Sequence, residues 1–171
     1  MHFMKKIKAV FLYRDGVINK DLGYVSKIDD FEFCDGIFEA LRGFLKLGFA
    51  LFIVTNQSGI GRGYYTSDDF LNLTKFMLDE FKKEDIYIKK VYYCPHSLEE
   101  NCDCRKPKPG MILKALSEFD INLKNSIMIG DKNSDMLAAN SAGINNCYLI
   151  GETSSLKTAL DVYKLVFKEC I

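Results

Sequence analysis

Three short polar segments carry the residues best suited to chemistry: Arg14-Asp15-Gly16, Thr55-Asn56-Gln57-Ser58-Gly59 and Asp131-Lys132. A fourth, Arg105-Lys106, adds a guanidinium fork and a point charge. Together they supply what phosphoryl transfer needs. Phosphate oxygens want N–H and hydroxyl donors and a cation, and magnesium wants carboxylate oxygens. Thr55 and Asn56 offer a hydroxyl and an amide, while Gly59, Gly61 and Gly63 allow tight turns. Asp131, with Asp15 and Asp135, offers hard oxygen ligands. Taken alone, Thr55-Asn56 reads as a helix cap or an Asx-turn before it reads as a phosphate site. Asp135, one helical turn after Asp131, also suits a capping or solvated position.

A second cluster points to a different metal. Cys94-Pro95-His96 and then Cys102-Asp103-Cys104 form C-x-H-x5-C-x-C, three thiols and one imidazole on a loop. That donor set matches a closed tetrahedral zinc site, with reduced loop thiols as the alternative. Cys34, Cys147 and Cys170 are scattered and read as small buried hydrophobes.

The elements that must position these groups alternate along the chain. Apolar runs at Ile7–Leu12, Phe49–Val54, Val91–Cys94, Ser126–Gly130 and Cys147–Ile150 predict five buried strands. Helical periodicity spans Gly36–Leu47, with Ile37, Leu41, Phe44 and Leu45 on one face, and Ser67–Lys83, with Phe70, Leu73, Met77 and Phe81 inward. Met111–Phe119, Ser134–Ala142 and Ser155–Phe167 complete the set. Alternation of this kind predicts an α/β fold, a Rossmann-like parallel sheet with helices on both faces. Ligands of such sheets bind outside the carboxyl ends of the strands, where the polar segments fall. The absence of repeats and linkers predicts one domain over residues 1–171.

Composition narrows the partners. Lys+Arg and Asp+Glu balance at 23 each, so nothing favours a nucleic-acid backbone or an anionic membrane. No apolar run reaches the roughly 18 residues of a membrane helix. Met1–Lys8 lacks the apolar core and cleavage site of a signal peptide, which makes the cytoplasm the expected compartment.

The ordered motifs resemble those of haloacid-dehalogenase-superfamily phosphatases. Phe11-Leu12-Tyr13-Arg14-Asp15-Gly16-Val17-Ile18-Asn19 is similar to their first motif, aspartate-x-aspartate-glycine, and Thr55 to Gly63 to their second. Cys104-Arg105-Lys106-Pro107-Lys108-Pro109-Gly110-Met111 is similar to the third, and Gly130-Asp131-Lys132 with Asp135 to the fourth. With Gly23-Tyr24-Val25, the match runs from about Ala9 to about Ile150 and points to the branch acting on sugar bisphosphates. Few insertions interrupt the strands and helices, so no large cap domain is expected, and the resemblance implies a zinc-binding loop and an aspartyl-phosphate mechanism with Mg2+. A small phosphorylated sugar is the implied substrate, a heptose bisphosphate first and histidinol phosphate second.

Carried over by motif, Asp15 is the general acid/base and its backbone carbonyl a magnesium ligand, with Asp131 as another. Thr55, Asn56 and Lys106 hold the transferring phosphate, Gln57 and Ser58 are further substrate-binding residues, and Lys132, also substrate-binding, lies beside Asp131. Arg105 and the loop Asp21-Leu22-Gly23-Tyr24 meet the sugar or its second phosphate. Cys94, His96, Cys102 and Cys104 take zinc. The loops Gly16–Phe33 and Tyr92–Lys106 shape the opening.

One position departs. Tyr13 stands where the nucleophilic aspartate belongs, and a neutral phenol is a poor nucleophile and a poor magnesium ligand. Three readings follow: a phosphatase variant, a pseudoenzyme that binds phosphosugar or a protein without hydrolysis, and an unorthodox tyrosyl chemistry.

Overall fold

The computed structural model describes residues 5–171, so the Met1–Met4 part of the N-terminal stretch lies outside the described residues. Five strands form one parallel sheet: β1 Ala9–Tyr13, β2 Ala50–Asn56, β3 Ile88–Cys94, β4 Ile127–Gly130 and β5 Asn146–Leu149. Their order is β3-β2-β1-β4-β5. β1 is central and wholly buried, paired in register with β2 (Ala9 to Ala50, Tyr13 to Val54) and with β4 (Val10 to Ile127). The chain winds outward from β1 to β3, then returns to place β4 on the other side of β1. The order therefore reverses between β1 and β4, the switch point at which such sheets open a ligand crevice.

The helices are α1 Ile37–Lys46, α2 Ser58–Gly61, α3 Ser67–Lys83, α4 Gly110–Glu118, α5 Asn133–Ala142 and α6 Ala159–Glu169. Right-handed crossovers put α1 and α3 on one face and α4 and α5 on the other. Packing agrees: α1 lies against α6, α4 lies against α5, and Phe38 of α1 meets Phe81 of α3 at 5.3 Å between ring centroids. α3 spans the range its periodicity predicts, with Phe70, Leu73, Met77 and Phe81 buried. It starts from a Thr66/Asp69 capping box rather than from Ser67, because the Thr66 hydroxyl reaches the Asp69 amide at 3.1 Å.

Several boundaries differ from expectation. β1 starts at Ala9, since Ile7 forms only an isolated bridge to Ile121. β3 begins three residues early, at Ile88, where Lys89 and Lys90 are exposed and hide an edge strand from an apolar-run search. α6 begins at Ala159, not Ser155, because Thr158 accepts from the Asp161 amide and caps the helix there. The glycine-rich stretch after β2 folds into the short helix α2. Cys170 is exposed, and Cys34 and Cys147 are only half-buried, so none is a fully buried hydrophobe. The β1–α1 connection, residues 14–36, holds a single 3-10 turn at Ile28–Asp30 and no cap domain. Among the described residues, no helix is long and apolar enough to cross a membrane.

Candidate active site

A cavity of about 380 Å³ opens outside the carboxyl ends of β1 and β2. Tyr13, Asp15, Thr55, Asn56, Gln57 and Ser58 line it from the strand ends, with Arg105, Lys106 and Lys132 from later loops and Asp21, Gly23 and Tyr24 from the β1–α1 connection. Of the residues expected here, Leu22 is exposed outside the lining, and Asp131 lies against Gly16. Tyr13 and Lys132, 119 positions apart in the chain, line one cavity because they follow neighbouring strands.

At the end of β1 the backbone turns sharply. Gly16 has φ +86°, and a Cβ there would sit 2.2 Å from Asp131 Oδ2, so only glycine lets the two loops approach. Asp131 keeps Oδ1 buried without a hydrogen-bond partner. Burial and the neighbouring Asp135 push its carboxyl up to about 6. A buried carboxylate oxygen with nothing to accept from is what a hard cation would satisfy. The donor set thus fits magnesium at Asp131, whereas the phenol of Tyr13 contributes no carboxylate beside it.

Tyr13 is 2% exposed. Burial first, and the Asp135 charge second, push its phenol far above its ordinary range, so it stays neutral. Lys106 Nζ sits 4.4 Å from the ring centroid and donates to Asp135 Oδ1 at 2.6 Å. Asp135 is fully buried, and its Oδ2 accepts the backbone N–H groups of Asp131 and Lys132, both at 3.0 Å. The carboxylate therefore caps α5 and neutralises Lys106 together, so the capping reading holds and the solvated one does not.

Two hubs were given no role by sequence reasoning. Arg14, also 2% exposed, donates from Nη2 to Asp15 Oδ1 and to the Val25 carbonyl, both at 2.8 Å. Its guanidinium lies 5.9 Å from the Phe31 ring and 6.0 Å from that of Phe70. Tyr65 is the second hub, donating its hydroxyl to Gln57 Oε1 at 2.5 Å. An arginine directly after a buried strand was the available hint for the first. Nothing local marks the second.

The outer wall is the loop from Asp21 to Val25. Gly23 and Tyr24 both adopt positive φ, 77° and 49°. Tyr24 meets Tyr64 edge-on at 4.9 Å, and Asp21 Oδ2 accepts from Lys132 Nζ at 3.2 Å across the mouth. Arg105 keeps Nη1 buried and unpartnered.

Beside this cavity, Cys94, His96, Cys102 and Cys104 place their ligand atoms within 4.8 Å of one another. Cys94 Sγ is 3.4 Å from both His96 Nδ1 and Cys102 Sγ, and His96 Nδ1 is 3.2 Å from Cys104 Sγ. Ligands about 2.1–2.3 Å from a tetrahedral ion lie about 3.4–3.8 Å apart, so Cys94 and Cys104, with Sγ atoms at 2.8 Å, would part slightly around one. The cluster can hold a metal ion, and its loop is docked on the segment that follows β2. Gln57 N donates to the Cys94 carbonyl and Gly61 N to that of Pro95, both at 2.8 Å, while Lys106 N reaches Asn56 Oδ1 at 3.3 Å.

Comparison with known proteins agrees with this architecture. The HAD-hydrolase-like family profile matches residues 103–164. The D-glycero-alpha-D-manno-heptose-1,7-bisphosphate 7-phosphatase of Campylobacter jejuni is 60% identical over 147 residues, 86% of this chain and 84% of that one. The D-glycero-beta-D-manno-heptose-1,7-bisphosphate 7-phosphatase of Helicobacter pylori is 52% identical over 148 residues, 86% of each chain. The crystal structure of D,D-heptose 1,7-bisphosphate phosphatase from B. bronchiseptica, complexed with magnesium and phosphate, shares the fold at a TM-score of 0.87. It covers 95% of this chain and 99% of that one at 24% identity. The fold and site define a hydrolase of the haloacid-dehalogenase class, and within it this chain belongs to the heptose-bisphosphate phosphatase family.

Proposed function

We propose that the cavity binds D-glycero-D-manno-heptose 1,7-bisphosphate with Mg2+ as a cytoplasmic phosphatase of nucleotide-activated heptose synthesis does, and that Tyr13 withholds the nucleophile for release of the 7-phosphate. The α anomer is the expected ligand, since the 60% identical relative is named for it. Thr55, Asn56, Ser58 and Lys106 receive the 7-phosphate, and Arg105, Lys132 and the Asp21–Tyr24 wall receive the rest of the bisphosphate. Magnesium, held by Asp131 and the Asp15 carbonyl, supplies charge neutralisation for the transferring phosphoryl group. Zinc in the Cys94-His96-Cys102-Cys104 cluster holds the loop that presents Arg105 and Lys106.

The observation that carries this reading is the contrast at the end of β1. The groups proposed to handle phosphate line an open cavity, while the position that should attack holds a buried neutral phenol. In an aspartate form, a carboxylate oxygen attacks phosphorus, and Asp15 protonates the leaving sugar oxygen and then activates water. The test is phosphate release from both anomers with magnesium, comparing this chain with Tyr13→Asp. Silence from the first and turnover by the second supports the proposal. Equal turnover overturns the nucleophile assignment, and silence from both overturns the substrate.

A further inference from the structure

The amide of Gln57 is 2% exposed and uses every polar atom it has. One Nε2 proton goes to Thr55 Oγ1 at 2.7 Å and the other to Asp15 Oδ2 at 3.3 Å, while Oε1 accepts from Tyr65 at 2.5 Å. The two ends of an amide are distinguishable by their partners. An amide N–H donates and a carboxyl oxygen accepts, so Nε2 faces Asp15 and Oε1 faces Tyr65. Tyr65 must then be the donor. Its buried hydroxyl, pushed up to about 12 by burial, keeps its proton at physiological pH. Thr55 Oγ1 already accepts from Gln57, and its contact with the Asn56 carbonyl, at 3.5 Å, is too long to hold its proton. That proton is left to point into the cavity.

We propose that Tyr65 is a positioning residue for phosphate. Through Gln57 it sets the polarity of the Thr55 hydroxyl, so that this group donates to a phosphate oxygen instead of accepting. The same amide steadies Asp15. Gly59 makes room for the ring, since a Cβ there would fall 2.1 Å from Tyr65 Cε1. This inference rests on the phosphate-binding reading of the cavity given above.

The test titrates inorganic phosphate by calorimetry, at saturating magnesium, into the full chain and into Tyr65→Phe, Thr55→Val and the double variant. Tyr65→Phe is expected to weaken phosphate about tenfold, the worth of one hydrogen bond, with magnesium affinity unchanged. Added to Thr55→Val, it is expected to cost less than about twofold more, because the hydroxyl it orients is already gone. An equal loss in both backgrounds means that Tyr65 acts on the fold at large and overturns the proposal, as does no loss in the single variant. If the full chain binds no phosphate, the underlying reading fails and takes this one with it.

Discussion

The corner at the end of β1 and the thiol loop after β3 solve the same problem, holding polar groups in place, in opposite ways. The thiol loop draws its four ligands from an eleven-residue stretch, Cys94 to Cys104, so its geometry is local. Burial pushes the Cys94 thiol up, a state that deprotonation onto a metal would relieve. The β1 corner is assembled from Tyr13, Arg14, Asp15, Lys106, Asp131 and Asp135, which neighbour one another only because three strands end together. Its charges compensate pairwise inside the protein, Arg14 with Asp15 and Lys106 with Asp135. The local cluster offers four ligands that an external ion could join. The distributed one supplies counter-charges for Asp15 and Asp135 from within the protein and leaves one oxygen of Asp131 without a partner.

The largest effect expected from probing this contrast is chemical. Tyr13→Asp should raise turnover of the heptose bisphosphate by about 10³-fold or more, the scale on which enzymes lose rate when the attacking group is removed. Steady-state phosphate release measures it, and a rise below tenfold breaks the view that one residue disables the corner.

Stability should show the distributed character next. Lys106→Met leaves Asp135 charged and buried with no cationic partner, and should cost about 3–5 kcal/mol in urea unfolding. A cost under about 1 kcal/mol would mean that the backbone amides alone satisfy Asp135.

The thiol loop should respond to metal instead. Removing the ion by chelation, or Cys102→Ser, should lower stability by about 2–4 kcal/mol, seen as a fall of roughly 5–15 °C in Tm. It should also weaken phosphate binding, since Gln57 and Lys106 lean on this loop. Metal-free protein of unchanged Tm and affinity would separate the two regions entirely.

The smallest effect belongs to the mouth. Asp21 and Lys132 are 34% and 54% exposed, so Asp21→Asn should change stability by about 0–1 kcal/mol and less at high salt. A larger loss would make this pair part of the distributed network.

Legibility in the sequence followed the range of the interactions. α3 was readable over its full span because a 17-residue amphipathic helix carries its own period, and the C-x-H-x5-C-x-C spacing was readable because its partners are sequence neighbours. β3 was only half readable, because the exposed Lys89 and Lys90 break its apolar run at the sheet edge. For α6, a four-residue displacement arose because one hydroxyl at Thr158 decides where a helix begins.

By itself, then, the sequence determined the alternation of strands and helices, the four motifs and the tyrosine at position 13, all matters of residue type and spacing. Only the tertiary structure decided that Arg14 turns inward to Asp15 and Val25, that Asp135 pairs with Lys106 rather than with water, and that Tyr65 commands Gln57. The physical reason is that a buried polar atom must find a partner, and which partner it finds depends on which strand ends are neighbours. In a parallel sheet that is settled by strand order.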